Sequence, residues 1–98
     1  MLFLVLVVFV FPVNAKPKTK VTYELNAMGF TRTKIENKTT ESLACYVAID
    51  GYKKKFRLPS FNTSQWYTAN DKRINYKNFT VWCDYLSAYP SYNQYNRG

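Results

Sequence analysis

The chain has 98 residues, of which 14 are Lys or Arg, 6 are Asp or Glu and none is His, and its formal net charge is +8 at pH 7. This length holds one domain at most, and the missing imidazole excludes Ser-His and Cys-His nucleophile pairs and the His ligands of most zinc sites. The excess of positive charge favours polyanionic partners, although it is equally compatible with solubility alone. We therefore expect no metal site, no cofactor and no enzymatic activity.

The first segment of the chain, residues 1–15, is apolar and carries no acidic or basic side chain. It ends in "VNA" and is too short for a comfortable membrane span, so the pattern predicts a secretory signal peptide. Residues 16–98 then form a single secreted, extracellular domain. A core of that size is only marginally stabilising, so a disulfide between Cys45 and Cys83 is expected, with two free buried thiols as the alternative.

The next segments allow more than one interpretation. The stretch "VTYELNA" (21–27) alternates apolar and polar residues with the period of a half-buried strand. In "TKIENKTTESLACYVAID" (33–50), a capping box from Thr33 to Glu36 favours a helix. The turn residues Asp50 and Gly51 favour instead a hairpin with arms "ACYVAI" and "YKKKFRL". These residues alone leave the choice between helix and hairpin open.

Further along, "KFRLP" is predicted as a short strand, "FNTSQWYTANDKR" as a loop, and "NFTVWCDYL" (78–86) as a central strand with apolar residues on both sides. The tail, about 88–98, is rich in Tyr and Asn and is predicted to be loose. Sequons at Asn62 and Asn37 are predicted glycosylation sites, and Asn62, in the loop, is the better candidate.

Four stretches in chain order resemble the small guanyl-specific ribonucleases secreted by microbes, and especially the ribonuclease-like effectors of powdery mildew fungi. They are "TYEL", "FTRTKIENKTTESLAC", "KKFRLP" and "YTANDKRINYKNFTVWCDY". The resemblance implies an α+β fold in which one helix, about 33–49, packs on a small antiparallel sheet. It also implies a single disulfide from the cysteine of the helix, Cys45, to that of the late strand, Cys83. An all-β sandwich is the structural alternative.

The chain departs from this family where the family's chemistry lies. Lys55 falls near the position of the catalytic glutamate, neither catalytic histidine has a counterpart, and Arg73 is near but not at the position of the catalytic arginine. A lysine does not accept a proton from a 2′-hydroxyl at neutral pH unless its pKa is strongly lowered. The resemblance therefore implies a catalytically inert virulence effector, delivered into host cells, that binds RNA or a host protein.

The basic run "DGYKKKFRLP" (50–59) supplies the candidate binding face. Cationic and aromatic groups suit phosphates and stacked bases, so we expect this face to bind RNA or another polyanion such as an anionic glycan. We also expect the protein to be a monomer. A solvated strand face is the alternative for these residues. The alternative function is a cationic host-defence or toxin-like protein acting on membranes, disfavoured because no segment forms a cationic amphipathic helix with a broad apolar face. The candidate ligand-binding residues are Lys53, Lys55, Arg57, Tyr23, Trp66, Tyr67 and Arg73.

Overall fold

A computed structural model describes residues 16–98, and the predicted signal peptide, residues 1–15, lies outside the described residues. The strands are β1 (Thr19–Leu25), β2 (Thr31–Asn37), β3 (Leu43–Ile49), β4 (Tyr52–Leu58), β5 (Tyr67–Thr68) and β6 (Phe79–Tyr85). Short 3-10 helices cover Tyr76–Asn78, Leu86–Ala88 and Pro90–Gln94. Between residues 16 and 98 there is no α-helix.

The strands form two antiparallel sheets of three strands each. The first sheet has the order β1-β2-β5 and the second has the order β4-β3-β6. Ile35 of the first sheet is fully buried in one apolar cluster with Leu43, Val47 and Leu58 of the second. The aromatic ring of Phe56 in the second sheet stacks on that of Tyr67 in the first, with ring centroids 5.0 Å apart. The two sheets therefore share one hydrophobic core.

The predicted disulfide is present in this core. Cys45 on β3 lies directly opposite Cys83 on β6, with a Cα–Cα distance of 4.1 Å. Both cysteines are buried. The bridge therefore joins two neighbouring strands of the second sheet that are 38 residues apart in the sequence.

The helix predicted over residues 33–49 is not present, because these residues belong to β2 and β3. Burial along β2 alternates strictly, with Thr31, Thr33, Ile35 and Asn37 buried and the residues between them half-buried. This period of two belongs to a strand with one face in the core. The Thr33 hydroxyl, assigned to a helix cap from the sequence, donates instead to the carbonyl oxygen of Thr22 on β1 at 2.9 Å.

The hairpin that was the alternative is present between β3 and β4. Asp50 and Gly51 have φ angles of +50° and +84°, which a type I′ turn requires at both central residues. The resulting register places Val47 opposite Lys54 and Ile49 opposite Tyr52. The α+β prediction is therefore not confirmed, and the sheet-rich fold fits the all-β alternative.

The C-terminal residues, expected to be loose from about residue 88, pack against the second sheet. Tyr89, Tyr92 and Tyr95 recur every three residues, which is the period of the 3-10 helix formed at Pro90–Gln94. This helix brings the buried Tyr92 within 6.2 Å of Trp82, measured between ring centroids. The chain then bridges to the edge of β4, where the Gly98 N–H donates to the Arg57 carbonyl at 2.9 Å.

Candidate polyanion-binding face

The candidate site lies on the side of the second sheet that points away from the core, called the outer face below. Alternate residues of a strand point to the same side of a sheet, so Lys53, Lys55 and Arg57 share this face, opposite in direction to the buried Phe56 and Leu58. The register of the sheet adds the side chains of two neighbouring strands. They are Ala44, Tyr46 and Ala48 of β3 and Thr80, Trp82 and Asp84 of β6.

Aromatic rings lie beside the cationic groups of the outer face. The rings of Tyr46 and Trp82 are stacked across the two strands, with centroids 5.4 Å apart and an interplanar angle of 23°. The Lys53 ammonium lies 4.2 Å from the centre of the Tyr46 ring, and the Lys55 ammonium lies 5.8 Å from that of Tyr95. Attraction between an ammonium and the ring face holds each lysine over the sheet rather than away from it.

The positive charge of the outer face is not neutralised by carboxylates. The ion pairs within residues 16–98 join Glu24 to Arg32, Glu36 to Lys38 and Asp71 to Arg73. None of them involves β4. The acid on the outer face, Asp84, accepts a hydrogen bond from the backbone N–H of Tyr85 at 2.7 Å. The lysines of β4 are therefore free to pair with an external anion.

The C-terminal residues cover one half of the outer face and leave the other half open. Ala44 is fully buried, whereas Ala48, on the same side of the same strand, is half-buried, and Lys53 and Thr80 are exposed. At the covered end, the guanidinium of Arg57 donates through Nε to the carbonyl oxygen of Tyr95 at 2.7 Å. Arg57 therefore holds the tail, and the open half is formed by Lys53, Ala48 and Thr80, with Lys55 and Tyr46 at its boundary.

The remaining candidate ligand-binding residues lie elsewhere. Trp66 directly precedes β5 of the first sheet, and Arg32 and Lys34 of β2 lie 4.0 and 4.7 Å from its ring centre. Tyr67 packs in the core, and burial raises the pKa of its phenol. Tyr23 packs edge-on against Phe79, with centroids 5.7 Å apart.

Arg73 binds Asp71 in an exposed loop, and hydrogen bonds from Arg73 lower the pKa of that carboxyl to about 2. The structure thus brings Lys53, Lys55 and Arg57 together. It does not join them to Trp66, Tyr67, Tyr23 or Arg73.

The predicted glycosylation sites have different surroundings. Asn37 is fully buried, and its Nδ2 donates to three backbone carbonyl oxygens, at distances of 2.7, 3.0 and 3.0 Å. A glycan on this nitrogen would displace these contacts, so the packing of the folded chain argues against glycosylation at Asn37. Asn62 is exposed in the loop after β4 and stays a prediction.

Tyr46, Trp82 and Tyr95 are parts of the site that were not predicted from the sequence. The expected disulfide could have predicted the contact between Tyr46 and Trp82, because the neighbours of a cross-strand cysteine pair also lie opposite each other. Pairing of Cys45 with Cys83 in antiparallel strands places Tyr46 opposite Trp82. The position of Tyr95 depends on how the tail crosses the sheet, for which the sequence contains no local signal.

Comparison with models of known protein families, with curated proteins and with solved structures finds no match. The resemblance to ribonuclease-like effectors stays a prediction, and the helix that it implies is absent from residues 16–98. In this part of the chain no helix is long and apolar enough to cross a membrane. Nor does it contain a group of three or more His, Cys, Asp or Glu side chains placed to hold a metal ion.

Proposed function

We propose that this protein is a secreted, non-catalytic interaction protein that binds a polyanion through the open half of the outer face, with single-stranded RNA as the favoured ligand. The observation that carries the proposal is the placement of Lys53 and Lys55. Both ammonium groups lie near aromatic rings and have no carboxylate within 4.0 Å among residues 16–98. Secretion rests on the predicted signal peptide.

The geometry of β4 suits a chain of anionic groups. Residues two apart on a strand are separated by about 7 Å, so Lys53 and Lys55 offer successive cationic contacts along the strand direction. Each lysine that neutralises a phosphate releases condensed counterions, which favours binding in a manner that depends on salt. The half-buried ring of Tyr46, beside Lys53 at the boundary of the open half, supplies apolar surface against which a base can pack.

Cleavage of the bound chain is not part of this proposal. Hydrolysis through the 2′-hydroxyl needs a general base within hydrogen-bond distance of that group. The chain has no histidine. Asp84, the acid on the outer face, lies on β6, two strands away from the lysines of β4, and it is engaged by the backbone N–H of Tyr85.

The test is binding of residues 16–98, with the disulfide intact, to labelled single-stranded RNA across a salt series, with RNA length followed in the same samples. The Lys53→Ala/Lys55→Ala variant is compared with Lys72→Ala/Lys77→Ala, which has the same net charge. Loss of two phosphate contacts should lower the salt slope by about 1.4 and the affinity at 0.1 M salt by about 25-fold. The control should bind nearly as the unchanged protein does.

Three results decide against parts of the proposal. Equal losses in the two variants would assign binding to bulk charge rather than to the outer face. No binding at low salt would reject polyanion binding altogether, and shortening of the RNA would reject the non-catalytic role. A parallel series with a sulfated glycan distinguishes the two sources of anionic groups, because tighter binding there would make the glycan the ligand.

A further inference from the structure

Strand β1 is the long edge strand of the first sheet, and the other edge strand, β5, has only two residues. Within residues 16–98 β1 pairs with β2 alone. Two hydrogen bonds lie just beyond the ends of the β1–β2 pairing. The N–H of Lys38 donates to the carbonyl of Lys18, and the N–H of Asn26 donates to the carbonyl of Phe30. Because hydrogen-bonded pairs alternate in an antiparallel ladder, the even-numbered residues of β1 bond to β2. The N–H and C=O groups of its odd-numbered residues point outward, unpaired.

The same edge exposes apolar side chains. Val21, Tyr23 and Leu25 lie on the side of β1 that faces the core, but the second sheet covers them incompletely, and their exposed fractions are 37%, 39% and 66%. Tyr76, beside Tyr23, is 58% exposed. The strand has seven residues with no Pro or Gly to interrupt pairing. A long free edge with exposed apolar residues is a template for another strand.

We propose that the strand that pairs with this edge is β1 of a second copy of the same chain, in antiparallel orientation. Thr22 is the central residue of β1, so full overlap of two copies places Thr22 opposite itself. Lys20 then lies opposite Glu24 of the partner subunit, and the pair occurs twice by symmetry. On the apolar side, Val21 lies opposite Tyr23 of the partner subunit. The strand therefore places opposite charges against each other on one side and apolar residues against each other on the other side.

The complementarity extends to the neighbouring strands. Glu24 is already paired with Arg32 on β2, and Lys20 lies opposite Glu36. Four charged side chains then follow one another across the strands of the joined sheet, and their charges alternate in sign. They are Arg32, Glu24, Lys20 of the partner subunit and Glu36 of the partner subunit. In the central row, the two Lys34 side chains are separated by two Thr22 residues, about 14 Å at a strand spacing of about 4.8 Å. That distance exceeds the Debye length of about 8 Å at physiological salt, so their repulsion is screened.

A monomer was expected from the sequence, and a high net charge does in general oppose self-association. The structure alters that expectation by showing that the charges next to the edge are of both signs. A register shifted by two residues would place Lys20 opposite Thr22 and would shorten the overlap. A shift by one residue would bring the outward backbone groups out of phase.

The test is a charge exchange, measured by sedimentation equilibrium of residues 16–98 from micromolar to millimolar concentration. The unchanged chain is expected to form a dimer. Lys20→Glu and Glu24→Lys each place like charges opposite one another twice, and each should weaken the dimer by about tenfold or more. The double variant Lys20→Glu/Glu24→Lys restores both pairs and should regain the affinity. Lys77→Glu, with the same change in net charge as Lys20→Glu, is the control.

Mixing the two single variants gives a sharper result. Each variant should be largely monomeric alone, whereas their mixture should form heterodimers, because both charged pairs across the edge of the heterodimer are of opposite sign. Both variants remain strongly positive, so attraction between whole molecules cannot produce this outcome.

A further variant, Val21→Pro, removes an N–H that points away from β2, and it should abolish the dimer while circular dichroism remains that of the folded chain. A chain that stays monomeric throughout, or a double variant that does not recover, would overturn the proposal and leave the edge for a strand of another protein.

Discussion

Replacing Asn37 with aspartate is expected to destabilise the fold strongly, because one buried amide group joins three parts of the chain. Its Nδ2 donates to the carbonyl oxygens of Glu41, Leu58 and Pro59. Its Oδ1 accepts hydrogen bonds from both the N–H and the hydroxyl of Thr39, each at 2.8 Å. The amide therefore fixes the turn after β2 and attaches it to the end of β4.

The magnitude follows from the donated bonds. The amide nitrogen has two hydrogens, so its three contacts amount to about two full hydrogen bonds, and a carboxylate has no donor to replace them. A neutral hydrogen bond contributes about 1 kcal/mol net, which gives a loss of about 2 kcal/mol before any charge penalty. A domain of this size has a total stability of about 4 to 12 kcal/mol, so the loss is a large fraction of it. Burial would also raise the pKa of the new carboxyl group above that in the unfolded chain.

The assay is urea unfolding of residues 16–98, followed by tryptophan fluorescence at neutral and at mildly acidic pH. Asn62→Asp, an identical change at an exposed position, is the control. Because the carboxyl pKa is raised in the folded state, its penalty is full at neutral pH and shrinks as pH falls through that pKa. A loss below about 1 kcal/mol, or one independent of pH, would refute the role assigned to Asn37.

Other predictions concern the bridge, the turn and one ion pair. Cys45→Ala/Cys83→Ala should lower the free energy of unfolding by about 4 kcal/mol in urea titrations, because the residues are 38 apart; an unchanged midpoint would contradict this. Gly51→Ala should cost about 1 to 2 kcal/mol through its φ of +84° alone, since a Cβ there meets no atom within 4 Å; D-alanine should be neutral. The pair with Arg73 keeps the Asp71 pKa at about 2, against an ordinary 3.8. Its contribution is full above the ordinary pKa and is lost as pH falls towards 2, so thermal melts of Asp71→Asn and the unchanged chain should converge there.

Local signals predicted part of this fold correctly and another part incorrectly. The β3–β4 hairpin was visible as an alternative because its turn residues, Asp50 and Gly51, determine the backbone by themselves. The helix was favoured by a capping box at Thr33, which is equally local. That hydroxyl bonds to Thr22 on another strand, and the alternating burial of β2 depends on a second sheet that a short window of sequence does not contain. Pairing between distant strands therefore overrode a local preference.

The candidate site was likewise predicted only as far as local signals determine it. Lys53, Lys55 and Arg57 were predicted to share a face from the period of a strand, and the structure places them so. Their surroundings depend on contacts between residues distant in sequence. Arg57 is bonded to the tail at Tyr95, 38 residues further along the chain, which removes it from the open half of the face. The same tail was interpreted as loose from its content of Tyr and Asn, although the spacing of three between its tyrosines is the period of a 3-10 helix.

The proposed dimer edge and the proposed polyanion-binding face lie on different sheets, and this separation has a functional consequence. Pairing through β1 uses the free edge of the first sheet, whereas Lys53 and Lys55 lie on the outer face of the second. A dimer would therefore keep both outer faces open and present two cationic sites joined by a rigid sheet. A long polyanion that reaches both sites binds the second one at high effective concentration, but a short oligonucleotide cannot. Val21→Pro should accordingly weaken binding to long RNA and leave binding to a short oligonucleotide unchanged. Equal affinity for long RNA before and after the change would show that the two surfaces act independently.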